Sequence, residues 1–70
     1  MPYYRSALFD RAEYDPFSRT LLLWFSGSVD PYAYEGVPAH VWQGLQAARS
    51  KGAYFSRHIR QQYEGRKAAA

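Results

Sequence analysis

Apolar side chains recur with a period of two up to about Tyr34, then with a period of about 3.6 from Pro38 onward. The first regime predicts strands. One is expected over residues 7–14, with Leu8, Ala12 and Tyr14 on one parity and Phe9 on the other. Asp15-Pro16-Phe17-Ser18-Arg19 then opens a turn, because the proline ring presets its backbone angle. The next strand, over 20–25, reads Thr-Leu-Leu-Leu-Trp-Phe and is apolar on both parities. Such a strand is either covered on both faces or lies at a self-association surface. Ser26-Gly27 marks a second turn, and a third strand follows over 28–34. Pro31 has no N–H to give to a ladder, so that strand is expected at an edge or with a bulge. Tyr32 and Tyr34 share a parity and project from one face.

The second regime predicts two helices. Over 38–48, Pro38 suits a first helical position, and Val41, Leu45 and Ala48 form an apolar stripe with Trp42 beside it. Ser50 is placed to cap a second helix over 51–63, whose stripe is Phe55, Ile59 and Tyr63. Gly65 is read as its terminator and 64–70 as a frayed tail. The expected fold is therefore α+β: a three-stranded antiparallel β-meander followed by two short α-helices, β-β-β-α-α, in one domain over 1–70 with its core at about 6–63.

Composition agrees with a folded domain that relies on packing. With 70 residues and no cysteine, neither a disulfide framework nor a thiolate zinc site supplements the core. Seven Tyr, four Phe and two Trp supply large rings, which bury the most area per residue. The longest apolar run, 21–25, is far short of the ~20 residues of a membrane span. The N-terminus lacks the apolar core of a signal peptide, so a cytoplasmic location is expected.

Charge is unevenly spread. Residues 1–48 hold Arg5, Arg11 and Arg19 against five carboxylates, whereas 49–70 hold Arg49, Lys51, Arg57, Arg60, Arg66 and Lys67 against Glu64 alone. That asymmetry points to an anionic partner at the C-terminal end, or else to a solvated helix face that keeps a ring-rich protein in solution.

Tyr-Asp ahead of a hairpin, the apolar strand, Tyr32-Ala33-Tyr34, Gly36-Val37-Pro38 and the block from Ser50 to Arg60 (Ser-Lys-Gly-Ala-Tyr-Phe-Ser-Arg-His-Ile-Arg) follow one another in a familiar order. In these segments the chain resembles the KTSC family, named after the C-terminus of lysyl-tRNA synthetase, over about residues 6–63. The resemblance implies a free-standing domain of bacterial or phage type, with RNA as the usually suggested ligand. Asp30-Pro31 departs from the family pattern, in which the third strand runs straight into the Tyr-x-Tyr pair.

The densest part of the resemblance also carries the candidate site. Arg57 and Arg60, three apart on a helix, reach one patch, and Lys51 sits at the helix start where free amides and the dipole favour anions. With Arg49 they make a phosphate-binding set. The competing reading pairs Arg60 with Glu64 and packs Arg57 on Tyr54. Tyr32, Tyr34 and Tyr54 are candidates for stacking unpaired bases, against a role as core rings under the helices. His58 is expected at the edge of the helix core, bonded to a carbonyl, or within the anion site as a group that charges at about pH 6.

His58 and His40 have no neighbours at metal-ligand spacing, and no cofactor motif is present. Ser26-Gly27-Ser28 is a turn, not a phosphate loop, and Asp10, Glu13 and Asp15 read as solvated charges near a hairpin. No catalytic residue is assigned. Two functions follow: an RNA- or nucleic-acid-binding module acting through the basic helix, or a protein-interaction module. In the second, exposed aromatics and an edge strand bind a host protein or a second copy of the chain.

Overall fold

The structure, a computed structural model, describes residues 8–68. The first residue of the strand expected over 7–14 and the last two of the expected tail lie outside the described residues. Seven elements follow in order: β1 (Phe9–Asp15), β2 (Thr20–Phe25), β3 (Tyr32–Tyr34), α1 (Ala39–Ala47), α2 (Lys51–Tyr54), a π-helical segment (Phe55–Arg60) and β4 (Gly65–Lys67). The strands form one sheet in the order β1-β2-β3-β4, each antiparallel to its neighbour.

The hairpins form where their turn chemistry predicts. Asp15 Oδ1 accepts from the Phe17 amide at 2.9 Å, bending the chain after β1, and Arg19 completes that turn at φ 57°. Those amide bonds, with the Ser18 hydroxyl, hold the exposed Asp15 carboxyl below its ordinary value. Gly27, at φ 84°, closes the second turn, where Ser28 N–H donates to Phe25 O at 2.9 Å.

Four strands replace the expected three, and the architecture is β-β-β-α-α-β. Gly65 does not end a helix; it pairs with Tyr34 across the β3–β4 ladder. A Cβ at Gly65 would fall 2.6 Å from Tyr34 Cζ, so only glycine lets that ring lie over the strand. Arg66 and Lys67, expected in a frayed tail, complete β4, and Ala68 N–H donates to Pro31 O at 2.8 Å. β3 is therefore not an edge. The register shift falls instead in β1, between Phe9 and Arg11. There the extra residue and the edge charges discourage pairing with another strand. Pro31 lies buried just before β3 rather than inside it.

The helices also differ in detail from the periodicity. Pro38 serves as N-cap of α1, so the helix begins one position later than expected, and the Pro38 carbonyl accepts from the Val41 and Trp42 amides. Ser50 caps α2 as expected, its Oγ accepting from Ala53 N–H at 3.3 Å. After one α-turn the winding widens to a π-helix over Phe55–Arg60. Phe55 and Ile59 remain buried, and Tyr63 packs against the same core.

Both helical elements cover one face of the sheet. Ala12, Leu21, Leu23 and Tyr34 meet Val41, Leu45, Phe55 and Ile59 there. Phe55 is central: its ring meets Phe25 at 5.5 Å, Tyr34 at 5.6 Å and Phe9 at 6.1 Å, all edge-on. Each such pair is worth about 0.5–1.5 kcal/mol beyond the area it buries. Strand alternation puts Arg11, Glu13, Leu22, Trp24, Ala33 and Arg66 on the opposite face. Among the described residues no element covers that face.

Candidate nucleic-acid interface

Of the eight side chains that the sequence marks, seven separate into three groups and the eighth, Tyr54, ties two helices together. Lys51 belongs to the scaffold: its ammonium donates to Gln46 O and Ala48 O, each at 3.0 Å, and so closes the C-terminal end of α1. The phosphate cradle expected at the start of the second helix is not assembled, because this lysine serves helix carbonyls. Arg49, Arg57 and His58 form the second group, exposed along the second helical element and its entry. His58 does not sit at the core edge on a carbonyl; it is exposed, with its ring 4.4 Å from that of Tyr54. Tyr54 itself is half-buried and donates its hydroxyl to Val41 O at 3.1 Å, which ties α2 to α1. Its ring is a fastening between helices rather than an open stacking platform.

The third group lines a cleft. Tyr32, Tyr34 and Arg60 come together with Leu8, Phe25, Ser28 and Phe55 around an open cavity of about 370 Å³. β3 contributes the two tyrosines at its inward positions, and β2 contributes Phe25, whose ring meets Tyr32 edge-on at 5.3 Å. Tyr34 is a core ring, only 6% exposed, and Tyr32 is half-buried. Burial raises the Tyr34 phenol above its ordinary 10.0, the Tyr32 hydroxyl adds to that, and the Arg60 charge opposes it. The phenol is therefore neutral, a donor and an acceptor, throughout the physiological range.

The competing pairing of Arg60 with Glu64 does not form: among the described residues Arg60 has no carboxylate partner, and neither do Arg49 and Arg57. By contrast, Arg11 pairs with Glu13 at 3.0 Å and Arg66 pairs with Glu35. Arg57 is not part of the cleft. Three residues of α-helix would set Arg57 and Arg60 on neighbouring faces; the wider π-winding turns them further apart. Phe25, Phe55 and Ser28 were not singled out from the sequence as site residues. An aromatic inside the densest motif block, and another closing the apolar strand, were the signals available for the two rings.

On the opposite face of the sheet, the Arg11 guanidinium lies 3.9 Å from the centre of the Trp24 ring. Trp42 instead stacks on Tyr14, 5.7 Å between ring centres, on the covered side. Among the described residues no set of three or more His, Asp or Glu side chains is arranged to hold a metal ion. No described helix is long and apolar enough to cross a membrane.

A four-stranded antiparallel sheet with two helical elements on one face and an aromatic cleft at its edge defines a small α+β domain. The model of the KTSC domain matches residues 5–63, and the chain belongs to that family. The fold is shared with a KTSC domain protein of Yersinia pestis known from its crystal structure. The two sequences are 31% identical, the TM-score is 0.89, and the match covers 97% of this chain and 94% of that one. No curated protein matches the chain.

Proposed function

We propose that this KTSC domain is a non-enzymatic module that binds RNA in the cytoplasm, using the arginines of its second helical element and of the entry to it. The observation that carries the reading is the set of three exposed arginines, Arg49, Arg57 and Arg60, without carboxylate partners among the described residues. Guanidinium groups left unpaired within twelve residues of one another favour a polyanion, and forked donors suit phosphate oxygens. Tyr32, half-buried, and Arg60, exposed, line the same cleft, a pair fitted to holding a ring and an anion.

Fluorescence anisotropy of labelled tRNA, single-stranded RNA and single-stranded DNA, at low and at physiological salt, tests the proposal. Three phosphate contacts on a single strand give a slope of about −2 in log affinity against log salt. An Arg49→Glu/Arg57→Glu protein loses that binding while keeping its fold. No binding of any nucleic acid at low salt overturns the reading.

A second reading, a protein-interaction surface, is favoured by the face of the sheet that no described element covers. Leu22, Trp24 and Ala33 lie there beside Arg11, a composition common at interface centres. Light scattering that reports a dimer, dissociated by Trp24→Glu, favours this reading over RNA.

A further inference from the structure

The geometry points to the cleft between β3 and the π-helical segment as a subsite for one unpaired nucleotide, its base against the aromatic wall and its phosphate on Arg60. This rests on the nucleic-acid reading and gives it a location and a ligand. The half-buried rings of Phe25 and Tyr32 make the accessible wall, the buried Tyr34 and Phe55 lie beneath them, and Arg60 stands exposed at the rim with no carboxylate to neutralise it among the described residues. An apolar wall alone would accept any hydrophobic group. Adding a lone guanidinium at the rim selects a ring that carries a negative charge within a few ångströms of its edge.

Size narrows the ligand further. At about 370 Å³ the open cleft is near the lower end of ligand sites, a size that suits one base with its sugar-phosphate. A base held in a duplex could not enter, so the subsite selects unpaired positions. Ser28 supplies a hydroxyl that both donates and accepts, fitted to the edge of a base. The π-winding matters here: it turns Arg60 toward the cleft and leaves Arg57 outside it, giving the two arginines separate tasks.

The test uses the full chain labelled with ¹⁵N and titrated with adenosine 5′-monophosphate, uridine 5′-monophosphate and inorganic phosphate. The nucleotides are expected to shift the Phe25, Ser28 and Arg60 signals at millimolar concentration, and phosphate alone to bind at least tenfold more weakly. Arg60→Gln, at an exposed position, should weaken nucleotide binding about tenfold or more. Tyr32→Leu keeps apolar volume but removes the ring face, and should also cost about tenfold. Arg49→Glu/Arg57→Glu leaves the cleft intact, so it should lose RNA affinity and keep nucleotide binding. If the nucleotides leave the cleft signals unmoved, or bind Arg60→Gln as well as the parent, the subsite is overturned whatever RNA does. If the cleft takes nucleotides while no RNA binds, the subsite stands and the RNA reading falls.

Discussion

Gly44 in α1 offers a test in which local propensity and tertiary packing predict opposite signs. In a helix interior, glycine to alanine ordinarily stabilises by about 1 kcal/mol. At Gly44 the added methyl would meet the Tyr54 hydroxyl and fall 2.7 Å from Tyr54 Cζ. The ring cannot yield freely, because its hydroxyl is bonded to Val41 O and its face packs against His58. Displacing it costs about 1–3 kcal/mol of overpacking strain, and the lost hydrogen bond costs about 0.5–1.5 kcal/mol more.

Set against the helix gain, Gly44→Ala should destabilise the domain by about 2 kcal/mol. For a chain of this size that lowers Tm by roughly 8–16 °C. In a Tyr54→Ala background the obstacle is gone, and the same substitution should stabilise by about 1 kcal/mol. Urea denaturation of the four proteins closes a double-mutant cycle with a coupling of about 3 kcal/mol. Equal effects of Gly44→Ala in both backgrounds, or a gain in stability in the parent, would refute the claim that glycine is there to seat Tyr54.

Two further outcomes follow from the core. Phe55→Ala removes the ring at the centre of the aromatic cluster and should cost about 3–5 kcal/mol by urea unfolding, much of what a 70-residue domain has, whereas Arg60→Gln should leave the midpoint in place. The Tyr34 phenol is raised above 10.0 in the folded state, mainly by burial, so its stabilising contribution is complete below pH 10 and lost as pH rises through the higher folded value. Phenolate absorbance against pH should contain a late-titrating component that moves later still in Arg60→Gln and is lost in Tyr34→Phe.

The long elements were legible in the sequence because they satisfy local rules. β2 announces itself by composition, and Ser50 by its place before an amphipathic run. β4 was not legible. Three residues are too few to show a period, and Gly65 signals a stop unless the ring of Tyr34 is known to need its empty side. The site divides the same way. Exposure of Arg49, Arg57 and Arg60 follows from their lying off the apolar stripe. The recruitment of Lys51 to the end of α1 depends on how closely the two helices meet, which no pattern within either helix encodes. The π-winding was equally hidden, since Phe55 and Ile59 four apart satisfy an α-helical stripe just as well.

That winding also sets where a chain with this fold can lose a residue. Each π-type bond encloses one residue more than an α-type bond, so Phe55–Arg60 holds a residue that ordinary helix would not need to cover the same path. A relative shorter by one position here could rewind to regular helix and still deliver its next strand to the sheet in register. Losing one residue is therefore cheaper here than within the regular helix of α1. Aligning such relatives with the gap elsewhere would equate Arg60 with the wrong residue, and the arginine at the cleft would look variable when it had only been counted out of step.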